Sequence, residues 1–281
     1  QVNTAQHLVF VEQIRDLVRA MVPEMTDAQE EQLAALLKEQ LPAFNPDVSP
    51  GLVPNVMTGR IANRLNLHGP NYMIDAACAS SLLAVKAGIE ELRNRTSRMM
   101  LVGGVNASLP PEVAVIFSQL GALSRSGAVK PFAQSADGTL LGEGLGVIVL
   151  KRVDEAIADG DRIYALLRGV GTSSDGRGLG LLTPSLDGEV LAMRRAYDQS
   201  GIDPASVTLV EAHGTGIPLG DRTEIGALRQ IYGPRSGEFG RVAIGSVKAL
   251  ISHCIPAAGI ASLIKTCLAL HSRILPPSPC D

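Results

Sequence analysis

Residues 74–92, IDAACASSLLAVKAGIEEL, change register at a single cysteine. Apolar and small residues lead up to Cys78, and beyond it Leu82, Val85, Ile89 and Leu92 recur at the spacing of one helical face. The pattern predicts a buried strand, NYMIDAAC, that turns into a helix at a thiol. Such a thiol is a core filler, a ligand or a nucleophile. Taken alone, such a thiol is more often core than catalytic, and its position strengthens the last reading. A helix N-terminus lowers a thiol's pKa and supplies N–H groups that can hold an oxyanion. The small neighbours Ala76, Ala77, Ala79 and Ser80 permit a tight turn that brings sulfur to a pocket.

Two further junctions have the same layout. VEAHGTGIPLGDRTE places His213 at the end of an apolar strand, before a Gly214-Thr215-Gly216 loop suited to close approach of a ligand. A lone histidine there is ordinarily a satisfied polar residue. Asp221 and Glu224, three apart, share a face of the next helix, where acidic residues also serve the helix N-terminus. GSVKALISHCIPAAG carries Lys248 and then His253, just before a helix opening near Pro256. In parallel α/β sheets, strand-to-helix junctions share the edge where ligands bind. Cys78, His213 and His253 are therefore expected on one edge.

Further strands are predicted at RMMLVGGVNAS, LGVIVLKRV, RIYALLRGVG, VTLVEAHGTG and RVAIGSV. Helices are predicted at DEAIADGD, DGEVLAMRRAYDQSG (Asp187 before it, Gly201 after), GDRTEIGALRQIYG and PAAGIASLIKTCLALHS. Residues 6–44 read as two helices, the second capped by Thr26 or Asp27, followed by a turn-rich connector, NPDVSPGLVP. This alternation predicts an α/β protein with a mostly parallel sheet covered on both faces. The natural boundary lies near Val153 to Asp161, giving halves 1–155 and 156–281.

Composition narrows the partners. The 281-residue chain has a net charge of −3, no tryptophan, 3% aromatics and no basic stripe, so no nucleic-acid or membrane partner is expected. No apolar run reaches about 18 residues, so no bilayer span is expected. The first residues lack the basic and apolar regions of a signal peptide. Four cysteines without paired spacing point to a reducing, cytoplasmic setting. His253, Cys254, Cys267, His271 and Cys280 superficially suggest zinc. However, Cys254 and Cys267 are thirteen residues apart, about 20 Å along a helix, whereas zinc ligands sit about 2 Å from the metal. The glycines of LLGEGLGVIVL precede a strand instead of linking one to a helix, so they form no nucleotide loop.

With these junctions in place, the sequence resembles the ketosynthase domains of β-ketoacyl synthases. DAACASSL is similar to their nucleophile motif, EAHGTGIPLGDRTE to HGTGT-x-x-GD-x-x-E, and GSVKALISHC to the stretch from the lysine to Gly-His-Thr. PFAQSADGTLLGEGLGVIVLKR and DGDRIYALLRGVGTSSDG also match, so the resemblance spans roughly 50–277. GLVPNVMTGRIANRLNLHGPNYMIDAACASSLLAV, FSQLGALSRSG and GTSSDGR look most like iterative type I synthases of enediyne polyenes and polyunsaturated fatty acids.

The resemblance implies a thiolase-like fold, layered αβαβα from two related halves. It also implies a decarboxylative Claisen condensation. Cys78 would accept an acyl chain from an acyl carrier protein. His213 and His253 would hold the malonyl thioester carbonyl, and Lys248 would orient them and balance charge against Glu224, with Asp221 supporting. Thr215 and position 217 would meet the pantetheine arm. No cofactor beyond the carrier's phosphopantetheine is implied. The expected partners are the carrier protein, other domains of a multidomain synthase and a second copy paired through residues 72–75.

This sequence departs from the family pattern at Ile217, where the second threonine of HGTGT stands, and at Ser252 and Cys254, which flank His253 in place of glycine and threonine. The apolar strand that opens such domains and the Gly-Phe-Gly loop that closes them are not in the sequence. The chain thus reads as an internal portion of a larger domain, or as a domain given without some segments. Rival readings are a non-catalytic chain-length partner, which would lack the nucleophile, and a degenerate structural domain. A thiolase would replace the second histidine by cysteine.

Overall fold

The computed structural model describes residues 2–40, 53–178, 180, 183–233 and 242–278. Most of the NPDVSPGLVP connector and Cys280 lie outside these residues. Two compact units divide the chain, Gln1–Met73 and Ile74–Asp281.

In the first unit, α1 (Val2–Met21) and α2 (Asp27–Glu39) form a hairpin. Thr26 caps α2 through a reciprocal box: its hydroxyl accepts the Gln29 N–H at 3.3 Å, and Gln29 Oε1 accepts the Thr26 N–H at 2.9 Å. Glu30, buried on α2, is held by Arg15 at 2.8 Å and by Arg19. The helix α3 (Asn55–Leu65) ends on Asn66 in the left-handed conformation, φ 52°.

The second unit holds a tight 3-10 turn at Ala77–Ala79, which runs into α4 (Ser80–Arg93). Then come β1 (Met99–Asn106), α5 (Pro111–Gln119), β2 (Gly144–Lys151) and α6 (Val153–Ala158), ended by Gly160 at φ 71°. Next are α7 (Leu186–Ser200), β3 (Leu209–Glu211) and α8 (Pro218–Tyr232). The chain closes with β4 (Ala243–Gly245), the short α9 (Lys248–Ile251), a 3-10 turn at Ile255–Ala257 and α10 (Ala258–Ser272).

Strand direction differs in part from expectation. β3 and β4 are parallel, joined through α8. β1 and β2 are antiparallel, with Met99 opposite Lys151 and Asn106 opposite Gly144. The long connection through α5 returns to the same end at which β1 finishes, so the two strands form one wide hairpin. Apolar runs cannot signal that, because parallel and antiparallel buried strands read alike.

Two predicted strands are not strands among the described residues. Residues 71–76 and 162–171 carry no ladder pairing, and a strand exists only where another segment takes its N–H and C=O groups. The second stretch lies against α7 instead: the Val170 N–H donates to Gln199 Oε1 at 2.6 Å, and Arg195 donates to the Thr172 carbonyl at 2.7 Å. The cap of α7 is Ser185, which accepts the Gly188 N–H; Asp187 falls inside the first turn.

Val85, Val102, Cys254, Ala257 and Ile260 form the core, flanked by Ile89, Met100, Ile148, Leu150, Leu263 and Ile264. It joins α4, the β1–β2 hairpin and α10. At Gly104 a Cβ would come within 2.7 Å of the Pro256 carbonyl oxygen and of Ser81 Cβ. The bare backbone of β1 is what lets those two segments meet. Ile255–Ser272 reaches 18 residues at a mean hydropathy of 1.3, enough by length and composition for a span and a correction to the expectation above. Its first turn enters the core, with Ala258, Gly259 and Ile260 buried, and Lys265 pairs with Glu211 at 2.8 Å, while Leu268 and Leu270 nearer its end are exposed.

Candidate active site

Cys78 lies in the 3-10 turn before α4, half-buried. Its Sγ is 3.0 Å from Nε2 of His253. The turn is sharp because Ala77 is left-handed at φ 48°, rare for a residue with a Cβ. Asp75 Oδ1 accepts the Ala77 N–H at 3.0 Å. Ser80 Oγ accepts the Ala76 N–H at 2.9 Å and donates to the Ala77 carbonyl at 2.7 Å.

His253 is 2% exposed and anchored through its backbone: its N–H donates to the Leu140 carbonyl at 2.7 Å, and its own carbonyl accepts the Gly142 N–H at 3.0 Å. The turn that delivers it passes through Ser252 at φ 63°. Nδ1 of His253 is buried without a partner among the described residues. An orphaned N–H is rarer in proteins than an orphaned acceptor, so this favours the tautomer with its proton on Nε2, facing sulfur. Burial, reinforced by the Lys248 charge, lowers the imidazole to about 4. It is neutral at pH 7.

The His213 ring stands perpendicular to that of His253, with centroids 5.4 Å apart. Lys248 Nζ donates to the His213 carbonyl at 2.5 Å and lies 3.4 Å from its Nδ1. An ammonium beside Nδ1 leaves the ring proton on Nε2 here as well. The surrounding protein and then Lys248 hold this imidazole below the usual histidine range. One side of His213 is open to water, which moderates that effect.

Lys248 is 2% exposed. Burial lowers its pKa, and the negative field of Glu224 opposes that most strongly. Glu224 makes no direct ion pair with it among the described contacts. The carboxylate instead accepts the N–H groups of His213 at 2.7 Å and Gly214 at 2.9 Å, so lysine and glutamate grip opposite backbone groups around residue 213. Asp221, 6% exposed, accepts the N–H groups of Phe132 at 2.7 Å and Gly216 at 3.2 Å. It clamps the loop as a support. Thr215 is buried, its hydroxyl accepting the Ile217 N–H at 3.3 Å. Ile217 sits at the N-cap of α8 and supplies no capping hydrogen bond.

The structure thus brings Cys78, His213, His253 and Lys248 together, with Glu224, Asp221, Thr215 and Ile217 on the loop around them. One expectation is reversed: the Cys78 thiol is raised above its ordinary value, because burial outweighs the opposing Lys248 charge. Sequence reasoning also missed Ser246. Buried to 1% exposure, it donates to the carbonyls of His213 and Gly214 at 3.2 and 3.0 Å and accepts the Lys248 N–H at 3.3 Å. Its presence in GSVK was visible, but a serine at a strand end carries no signal of its own. Of the other thiols, Cys254 is buried in the core, and burial raises the pKa of both Cys254 and Cys267.

Two neutral Nε2–H donors and a thiol around one small space are a means of holding a carbonyl oxygen beside a sulfur nucleophile. The family models for the β-ketoacyl synthase N-terminal and C-terminal domains match residues 21–156 and 164–279. This chain belongs to the β-ketoacyl synthase family. It is 43% identical over 77% of its length to one component of the polyunsaturated fatty acid synthase of Thraustochytrium, and 43% identical over 78% to polyketide synthase ThaG of Burkholderia thailandensis. It spans only 8% and 4% of those synthases, in which the matched stretch is one part of a much longer protein. Among solved structures it is similar to the module 6 ketosynthase of the Bacillus subtilis bacillaene synthase, at 39% identity and a TM-score of 0.76, covering 80% of this chain and 40% of that one. The oxazolomycin ketosynthase KS7 of Streptomyces albus gives 34% and 0.75, over 79% of this chain and 39% of that one. The ketosynthase is therefore of the α/β, thiolase-like fold.

Proposed function

We propose that this ketosynthase condenses an acyl chain held on Cys78 with a malonyl unit on an acyl carrier protein. The observation that carries the reading is the 3.0 Å approach of Cys78 Sγ to His253 Nε2, with the His213 ring perpendicular beside it.

The Cys78 thiolate, hydrogen-bonded by the His253 Nε2–H, attacks the incoming thioester carbonyl. A carbon–sulfur bond forms, the bond to the pantetheine sulfur breaks, and the departing thiolate takes up a proton. A malonyl thioester then places its carbonyl oxygen between the two Nε2–H donors. When carbon dioxide leaves, the electron pair of the broken carbon–carbon bond passes into that carbonyl as an enolate. Fixed donors aimed at the developing charge are worth about 100- to 1,000-fold in rate. The enolate carbon attacks the Cys78 thioester and expels the cysteine thiolate, leaving the β-ketoacyl product on the carrier. Covalent capture divides the reaction into two easier steps. Lys248 and Glu224 keep residue 213 in place, and the Thr215–Ile217 loop meets the pantetheine arm. No metal or redox group takes part in these steps.

The reading also places the chain in a cytoplasmic, multidomain synthase, as a homodimer joined through residues 72–75. The halves 1–155 and 156–281 contribute the nucleophile and the two histidines respectively.

Intact-mass analysis after incubation with an acyl-carrier thioester tests the central step. The expected result is one acyl adduct, absent from Cys78→Ala. Equal labelling of that variant would remove Cys78 as the acceptor. A silent wild-type chain would favour the structural-domain reading.

A further inference from the structure

We infer that Ser80 and Asp75 are positioning residues for Cys78, acting by holding Ala77 in its left-handed conformation. The inference rests on the functional reading above for its relevance to condensation, but its geometry stands independently.

Residue 77 is where the chain reverses to present sulfur, and it carries a Cβ that disfavours φ 48°. Something must hold it there. Neither the 3-10 turn nor α4 has a side-chain cap of its own. Two side chains instead bracket residue 77 from both directions in sequence. Asp75 takes its N–H at 3.0 Å. Ser80, 6% exposed, closes the other side with one hydroxyl that both accepts and donates, bonding the Ala76 N–H at 2.9 Å and the Ala77 carbonyl at 2.7 Å. Together they fix both peptide groups of residue 77. If residue 77 relaxed to an ordinary φ, the next residue, Cys78, would be redirected, and the 3.0 Å meeting with His253 would be lost. Neither side chain makes a described contact with the thiol or with either histidine, so each acts through the backbone alone.

The inference predicts a specific pattern of rescue. Glycine adopts positive φ readily, so at position 77 it makes the two side chains dispensable. In the full chain, alkylation of Cys78 by iodoacetamide and its acylation by an acyl N-acetylcysteamine thioester are followed by intact mass. Ser80→Ala is expected to slow alkylation roughly five- to ten-fold, the scale of a lost hydrogen bond, and to lower kcat for acylation with little change in KM. Ser80→Thr keeps the hydroxyl and should stay near wild type. Asp75→Ala, at an exposed site where folding is not at stake, should slow alkylation, whereas Asp75→Asn, which keeps an acceptor oxygen, should not. The double variant Ala77→Gly/Ser80→Ala should recover most of the lost rate. A purely structural role would lower the thermal midpoint of Ser80→Ala without this recovery. Unchanged alkylation in both Ser80→Ala and Asp75→Ala, or a loss that glycine at 77 does not restore, overturns the inference. Alkylation that follows the predicted pattern while the wild type accepts no acyl group supports the inference and overturns the functional reading.

Discussion

Ser81 Oγ, on the helix that follows the nucleophile, accepts the backbone N–H of Ile260, three residues into α10, at 3.0 Å. Ser81 and Ile260 are each 0% exposed. The N-terminus of α10 has no side-chain cap from its own segment, so α4 provides one across the interior. The Cys78 segment is thereby tied to the segment that follows His253. Ser81→Ala should strand a buried N–H and cost about 1–3 kcal/mol, read as a shift of the denaturant midpoint with an unchanged slope. A shift within error would mean that the bond does not hold the two segments together.

His253→Ala should depress carbon dioxide release from malonyl thioester by about 100-fold or more, the scale of a lost oxyanion donor. Cys78 should still be acylated, though more slowly, because the thiolate loses its hydrogen-bond donor. Decarboxylation at the wild-type rate would remove His253 from the enolate-stabilising role.

Burial raises the Cys78 thiol, and the Lys248 charge partly offsets it. Alkylation should therefore climb with pH to an inflection above the ordinary thiol value. Lys248→Met removes the cation at similar length, which disfavours the thiolate, so the inflection should move higher and the rate at pH 8 should fall. A profile that moved to lower pH would show that the field at sulfur has another source.

Ser252 at φ 63° and ψ −176° occupies a region that belongs almost wholly to glycine, at a cost of order 1–3 kcal/mol. Ser252→Gly should stabilise the fold by about 1 kcal/mol in thermal or denaturant unfolding and leave acyl loading near wild type. Destabilisation would mean that the serine side chain makes a compensating contact.

Ile217 is the N-cap of α8 with a side chain that cannot accept a hydrogen bond. Ile217→Thr should raise stability by about 0.5–2 kcal/mol through capping. The added hydroxyl should also lower KM for the carrier-bound substrate a few-fold while kcat stays nearly constant, the signature of uniform binding. If stability rises and KM does not move, the hydroxyl at this position serves the helix and not the pantetheine arm.

The sequence by itself marked the candidate residues of the site. Cys78, His213, Lys248 and His253 each stand where a local pattern ends, and apolar periodicity locates such ends without any tertiary information. It likewise determined α4, α8 and α10, since helix signals lie within a few residues of one another, and it narrowed the cap of α2 to Thr26 or Asp27, between which the structure selects Thr26. Tertiary structure decided the rest, because the deciding partners are remote in sequence. Strand status at 71–76 and 162–171 depends on whether another segment takes up the backbone groups, and the direction of β2 depends on where the long connection after β1 returns. The rise of the Cys78 pKa is of the same kind: a helix N-terminus is visible in sequence, while the burial that raises the thiol against the Lys248 charge comes from packing. The cap that Ser81 lends to α10 spans 179 residues of chain, a distance over which no local pattern carries information.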